Sequence, residues 1–221
     1  MKKAISMLLA LAMALSLPLA AQCEGAVSGT NNTALTTLSD GGLSAGVQTE
    51  NSYWNDAMRI GCTFGSKWYF YTDAEIAEQN GLATGMLRED YAKLVEESGS
   101  MMDMLAVNTE TGENVNITLQ RLSLTDALVL DEQKYAEISA EPLVEALEQT
   151  GLENVSTSVD EVEFLGEKHP CVRVKALIQD MDFFETLVIV KTGRTVCVVT
   201  VACFLEDTTE EVLANFYGEK P

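Results

Sequence analysis

The chain has 221 residues, of which 34 are acidic and 14 are basic, and its net charge is −20. Nucleic-acid binding requires a basic surface, so this charge excludes it, and it argues equally against electrostatic docking on an anionic membrane. We expect a solvated acidic surface on one domain, with a cation or basic-peptide binder as the alternative.

Residues 1–22 have the features of an export signal. Lys2 and Lys3 precede a nearly continuous apolar run over residues 5–17, and small residues follow it. The run is shorter than the roughly 20 apolar residues that span a bilayer, so cleaved export is predicted, with an uncleaved anchor as the alternative. Cleavage would take the net charge from −20 to −22, because the segment holds two lysines and no acid.

Cys23 is a candidate lipidation site. The stretch Leu19-Ala20-Ala21-Gln22-Cys23 resembles the lipobox of bacterial lipoproteins, although Ala20 and Gln22 depart from the usual pattern. Ordinary cleavage after Ala21 is the competing prediction. The protein is therefore expected to be secreted, or anchored through Cys23 to the outer face of the cytoplasmic membrane.

Residues 23–50 are rich in Gly, Ser, Thr and Asn, which predicts a flexible tether. One folded domain is predicted over residues 51–221. Its first half is predicted to contain strands 58–64 and 68–71, a short helix capped by Asp73, a helix 86–97, and a hairpin of strands 101–109 and 114–122.

The second half is predicted to alternate helices and hairpins in the same way. Its predicted elements are helices 132–137 and 141–150, strands 155–165 and 171–178 around a turn at 166–169, a central hairpin, and a final helix 209–217 capped by Asp207 or Thr208.

The central hairpin is the strongest pattern. Two β-branched, apolar runs flank Lys191-Thr192-Gly193-Arg194. A turn at Thr192-Gly193 would place Leu187 opposite Val198. Both faces of the hairpin are apolar, so we expect it at the centre of an antiparallel sheet with helices on both faces, in an α+β fold.

The element order resembles that of small exported bacterial proteins with the PsbP-like and DcrB-like α/β/α sandwich. The resemblance covers residues 51–221 and is carried by Tyr53, Gly61, Phe64 and Trp68, by the hairpin FLGEKHPCVRVKAL, and by the closing Thr-x-Glu-Glu helix. Many such proteins are uncharacterised lipoproteins or secreted proteins of Gram-positive gut bacteria. The resemblance implies the sandwich fold and transfers no catalytic residue.

No catalytic, cofactor or metal site is predicted. His169, the only histidine, falls in a predicted turn, where an exposed residue is expected rather than an oriented base. Three carboxylates, Asp180, Asp182 and Glu185, precede the central hairpin; a solvated loop is expected there, with a calcium site as the alternative.

Four cysteines, Cys62, Cys171, Cys197 and Cys203, lie in apolar strand patterns. Buried free thiols are expected there, although an even number of cysteines in an exported protein also permits disulfides.

Aromatic residues gather where the domain begins. Most are expected to pack in the core, Trp68 among them, but Trp54 and Tyr69 are candidates for a partly exposed surface that binds a partner. Two functions remain. The first is a non-enzymatic, monomeric domain that binds or scaffolds a protein, peptide or glycan; the second is an acid- or metal-dependent hydrolase with a carboxylate site.

Overall fold

Two antiparallel sheets and five helices are formed by residues 43–82 and 91–220, which the computed structural model describes. The predicted signal peptide, Cys23 and residues 23–42 of the predicted tether lie outside the described residues. The strands are β1 Val47–Gln48, β2 Ser52–Asn55, β3 Ile60–Thr63, β4 Trp68–Phe70, β5 Ser100–Asn108, β6 Asn114–Arg121, β7 Glu153–Phe164, β8 Glu167–Ile178, β9 Met181–Thr192, β10 Thr195–Phe204 and β11 Phe216–Tyr217. The helices are α1 Asp73–Gln79, α2 Tyr91–Ser98, α3 Leu124–Val129, α4 Glu132–Gln149 and α5 Thr209–Leu213.

The large sheet has the strand order β4-β5-β6-β10-β9-β8-β7, and the small sheet has the order β1-β2-β3-β11. The fold is a single α+β domain, as predicted, and β10 is the middle strand of the large sheet. The small sheet was not predicted: it forms because β11 returns to pair Phe216 with Cys62 of β3, where a longer final helix was expected.

The central hairpin has its turn one residue later than predicted. Thr192 pairs with Thr195, so the turn residues are Gly193 and Arg194, and Leu187 lies opposite Thr200 instead of Val198. Gly193 has a φ of 59°, and Arg194 is not among the residues with positive φ; this is the type II′ pattern, because type I′ needs a positive φ at both central residues. Because each partner changes by two positions, every side chain keeps its predicted face.

The two faces of the large sheet have separate cores. The face we call the small-sheet face carries Val188, Cys197 and Val199, and it packs against Tyr53 and Cys62 of the small sheet. The opposite face, the helix face, carries Leu187, Ile189 and Val196, and it packs against α4 through Leu143 and Leu147. On the helix face, α1 covers β5 through Ile76 and Leu105.

Helix α4 is continuous where two helices were predicted, and it contains Pro142. Its buried residues Tyr135, Ala136, Leu143 and Leu147 continue on both sides of the proline, so packing on the sheet outweighs the backbone hydrogen bond that proline removes. Helix α3, which follows an N-cap at Ser123, was not predicted.

The domain begins earlier than residue 51. Gly46 is buried, Val47–Gln48 form β1, and β1 pairs with β2. Strand β1 thus lies before the predicted boundary at residue 50, and its position depends on contacts distant in sequence.

Candidate functional site

An open groove of about 860 Å³ runs between the edge strands of the two sheets. Its walls are the β1 segment, Gly46 to Glu50, and strand β4 with the start of α1. Tyr69, one of the two sequence candidates, lies on β4 and lines this groove with 45% of its surface exposed. The structure thus places one predicted binding residue on an accessible concave surface.

Strand β4 presents backbone groups to the groove. Thr109 N–H donates to Lys67 O, and Tyr71 N–H donates to Leu105 O, so residues 67, 69 and 71 form the hydrogen-bonded pairs with β5. The N–H and C=O groups of Phe70 therefore point away from β5, because the pattern alternates in an antiparallel pair. An edge with outward-pointing amides is a template for one more strand.

The groove is acidic. Glu50 and Asp73 line it, and none of the described lining residues is Lys or Arg. The Tyr69 hydroxyl lies 2.9 Å from both carboxylate oxygens of Glu75, a hydrogen bond that raises the pKa of Tyr69. Such a groove favours a partner that carries positive charge.

The start of α1 fixes Glu75 in this position. The N-cap is Thr72 and not Asp73 as predicted: Thr72 N–H donates to Glu75 Oε2 at 2.7 Å, and Glu75 N–H donates to Thr72 Oγ1. This reciprocal pair is a capping box. Burial raises the pKa of Glu75, but the hydrogen bonds from Thr72 and Tyr69 outweigh it and lower the pKa overall.

A buried carboxylate, Asp103 of β5, holds the β1 segment beside the sheet. It accepts hydrogen bonds from Gly46 N–H at 2.8 Å, from the Tyr53 hydroxyl at 2.5 Å and from Asn55 Nδ2 at 3.1 Å. Burial and the neighbouring Asp103 charge raise the pKa of Tyr53 far above its usual range. We call these four residues the Asp103 knot; through Gly46 it fixes one end of the β1 wall of the groove.

Trp54, the other sequence candidate, does not line the groove. Its ring stacks on Tyr217 at a centroid distance of 6.0 Å, its Nε1 donates to Asp56, and only 9% of its surface is exposed. The structure therefore separates Trp54 from Tyr69. Trp68 packs on Phe64 with ring centroids 4.3 Å apart, inward as expected.

Glu185 is not in a solvated loop, as the sequence suggested, but in β9 with 1% of its surface exposed. Neither of its carboxyl oxygens has a hydrogen-bond partner among the described residues, and burial raises its pKa to about 8. A buried polar group without a partner costs about 1–3 kcal/mol, a sizeable part of the roughly 5–15 kcal/mol that stabilises a domain.

The predicted alternatives that rely on carboxylates gain no geometric support in the described residues. Asp180 and Asp182 are exposed while Glu185 is buried, so the three do not converge. Asp103 accepts a hydrogen bond from Tyr53 of the small sheet, whereas Glu185 lies on the opposite, helix face of the large sheet. No group of three potential metal ligands occurs in residues 43–82 and 91–220.

His169 is half-buried in strand β8 and is not an exposed turn residue. The turn falls at Leu165 and Gly166, both with positive φ, which leaves His169 in the strand. His169 Nδ1 lies 3.2 Å from Glu132 Oε2, and Glu132 Oε1 accepts from Lys191 N–H at 2.7 Å. The hydrogen bond to Glu132 raises the pKa of His169, and the arrangement ties the start of α4 to β8 and β9.

The four cysteines of the domain, Cys62, Cys171, Cys197 and Cys203, are buried free thiols. Burial raises the pKa of Cys171 and of Cys203 to about 11, and it raises those of Cys62 and Cys197 further. Their burial and raised pKa values favour the neutral thiol over the thiolate, which is the reactive form. None of the described helices is long and apolar enough to cross a membrane.

Comparison with known proteins places the chain in no family. No family model matches it, and no curated protein matches it. One similar solved structure, determined at 1.50 Å, is a protein from Bacteroides thetaiotaomicron, with a TM-score of 0.39 and 13% identity over 78% of this chain and 50% of that chain. This chain therefore spans half the length of that protein.

A second similar structure is LpqN, involved in cell envelope biogenesis of Mycobacterium tuberculosis. It has a TM-score of 0.40 and 9% identity over 72% of this chain and 82% of that chain. At these TM-scores neither structure indicates the function of this chain. The resemblance to PsbP-like proteins stays a prediction.

Sequence reasoning missed two groups of residues. Gly46, Val47 and Gln48 of the groove were assigned to the tether, and no local pattern marks them as ordered. The polar residues of β6 were visible as the alternation Asn114-x-Asn116-x-Thr118-x-Gln120. In a central strand both faces are covered, so this alternation indicates a buried polar row.

Proposed function

We propose that the protein is an exported, non-enzymatic binding domain that takes an extended polypeptide with basic residues into the groove between β1 and β4. The observation that carries the proposal is the open groove itself, in which Tyr69 is exposed and β4 is an unextended sheet edge. An added strand would hydrogen-bond to the outward N–H and C=O groups of Phe70 in β4, and its side chains would meet Tyr69 and the acidic wall.

Export is supported by the sequence. Lys2 and Lys3, the apolar residues 5–17 and the small residues before Cys23 together form a signal pattern. Mass spectrometry of the mature N-terminus tests the location: a diacylglyceryl group on Cys23 means an anchored protein, and a mature chain that begins at Gln22 means a secreted one. A full-length chain that retains residues 1–22 would contradict cleaved export.

The groove is tested with matched synthetic peptides and the full chain. We expect a fluorescent eight-residue peptide of alternating Lys and Val to bind more tightly than the same peptide with Glu in place of Lys. Its affinity should fall as salt rises, because exposed charges are screened. Methylating alternate backbone nitrogens keeps the charge but removes the donors, so binding should fall about tenfold, the equivalent of 1.4 kcal/mol.

Tyr69→Ala should weaken peptide binding, while Tyr217→Phe, which changes a tyrosine outside the groove, should leave it unchanged. Equal binding of the Lys and Glu peptides would reject the acidic groove as the site. Full binding of the N-methylated peptide would reject strand addition on β4.

A further inference from the structure

Strand β6 has one apolar and one polar face, and both are buried. Val115, Ile117 and Leu119 face the small-sheet side. The helix face carries four polar side chains that are at most 9% exposed: Asn114, Asn116, Thr118 and Gln120. Polar side chains in such a position are normally fully hydrogen-bonded.

This polar row is not fully hydrogen-bonded. Asn114 Oδ1, Asn116 Nδ2 and Gln120 Nε2 have no partner among the described residues. The only side chain of the helix layer bonded to the row in that part of the chain is Tyr135, whose hydroxyl donates to Gln120 Oε1. At one end of the row, the two carboxyl oxygens of Glu185 add to the unpaired set.

The register brings these unpaired groups together around Ala202. Ala202 of β10 pairs with Asn114 on one side and with Glu185 on the other, and the neighbouring pair on the same face is Thr200 with Asn116. Adjacent strands are separated by about 4.8 Å, so the Cα atoms of Asn114 and Glu185 are about 10 Å apart across a methyl group. We call Asn114, Asn116, Glu185, Thr200 and Ala202 the Ala202 cluster.

The Ala202 cluster lies near one end of the sheet. Asn114 is the first residue of β6, and Ala202 is two residues from the end of β10. The turn between β5 and β6 directly precedes Asn114, and the exposed Leu205 directly follows β10. A small ligand therefore has a shorter path to this cluster than to the middle of the polar row.

We propose that the Ala202 cluster binds an uncharged amide group. The unpaired atoms include a donor on Asn116, an acceptor on Asn114 and a carboxyl group on Glu185. An amide supplies both complements, since its N–H donates and its C=O accepts. A protonated carboxyl pairs with an amide in the same two-bond manner.

The surroundings argue against other ligands. No Lys or Arg is bonded to Glu185 within the described ranges, so an anionic ligand finds no cation there. The same ranges hold no group of three metal ligands. The neighbouring side chains Leu187 and Val174 are aliphatic. An aliphatic surrounding lowers the local dielectric, and this strengthens each hydrogen bond made inside the cluster.

The amide has two natural sources, a peptide group and an N-acetylated sugar, and two probes distinguish them. N-acetylalanine N-methylamide and N-acetylglucosamine are titrated into isotope-labelled full-length protein, and the side-chain amide signals of Asn114 and Asn116 are followed by NMR. We expect saturable shifts with one or both probes. Methyl acetate, which has a carbonyl but no N–H, should bind at least tenfold more weakly.

Two variants locate the site. Ala202→Leu places a larger side chain between Asn114 and Glu185 and should weaken binding at least tenfold. Val198→Leu adds a methylene group on the same face of β10, outside the cluster, and should leave binding unchanged.

Two results would overturn the proposal. The absence of saturable shifts with both amide probes would mean that the unpaired groups hold only water, and it would overturn the proposal, as would unchanged binding by Ala202→Leu. The peptide site is tested separately by Tyr69→Ala, which changes the β4 groove alone. Failure of the amide proposal can therefore be distinguished from failure of the peptide proposal.

Discussion

Asp103 and Glu185 are both carboxylic acids with 1% of their surface exposed, yet their surroundings are opposite. Asp103 accepts three hydrogen bonds from Gly46, Tyr53 and Asn55, which lie 48 to 57 residues away in sequence. Glu185 has no partner in the described part of the chain. A buried acid bonded from a distant segment joins two layers of the fold. A buried acid without hydrogen-bond partners lowers stability, which is expected of a group whose partner is a bound ligand.

The largest effect should come from Asp103→Ala. The substitution leaves the Gly46 N–H, the Tyr53 hydroxyl and the Asn55 amide buried without an acceptor, and we expect a loss of about 3–5 kcal/mol in the free energy of unfolding. Urea denaturation measures it, with the exposed Asp182→Ala as the control. A loss below about 1 kcal/mol would show that the Asp103 knot does not hold the layers together.

Glu185 should make stability depend on pH. Its folded pKa of about 8 lies above the unfolded value of about 4.5, so between these values the folded state binds a proton that the unfolded state has lost. Stability should therefore fall as pH rises through this range, by up to about 1.4 kcal/mol per pH unit.

Glu185→Gln, which cannot ionise, should remove that slope. Urea denaturation at pH 5 and at pH 7.5 measures the effect. Between these pH values the free energy of unfolding of the wild type should fall by about 3 kcal/mol more than that of the variant. Parallel pH profiles for the two proteins would show that Glu185 is ionised or solvated in the folded state.

Gly46→Ala should disturb the Asp103 knot from its other end. A Cβ atom at position 46 would lie 2.2 Å from the Tyr53 ring, whereas one at Gly65 would meet nothing within 4 Å. We expect a loss of about 2 kcal/mol for Gly46→Ala and little change for Gly65→Ala. The same stability for both variants would mean that the β1 segment moves freely.

The smallest effect should come from the contact of His169 with Glu132. The hydrogen bond to Glu132 raises the pKa of His169, so its stabilisation is fully present below the unfolded pKa and is lost as pH rises through the folded value. Because the pair is partly exposed, less than about 1 kcal/mol is expected. Glu132→Gln should remove this pH dependence, measured in the Glu185→Gln background, and a shift above about 2 kcal/mol would contradict the prediction.

The sequence predicted the parts of the fold that depend on local pattern. The β-branched runs around Gly193 identified the central strands, and the faces of Leu187 and Val188 were correct although the turn was displaced. Strand β1 could not be predicted, because its position depends on a hydrogen bond between Gly46 and Asp103, 57 residues apart.

The candidate sites were harder to predict. The aromatic neighbourhood made Tyr69 and Trp54 equal candidates, and only the packing of Trp54 on Tyr217 separates them. Glu185 was assigned to a loop with Asp182 because β9 begins at Met181, earlier than its apolar run suggests. Whether a polar side chain is paired depends on register, which a single sequence does not fix.

The contrast between the two acids is tested most directly by titrating the Glu185 side-chain carboxyl carbon by ¹³C NMR in the full-length protein. The structure predicts that Glu185 is mostly protonated at pH 7 and titrates near pH 8, and that an amide ligand in the Ala202 cluster shifts this titration. A Glu185 that titrates near 4.5, like an exposed glutamate, would contradict the account.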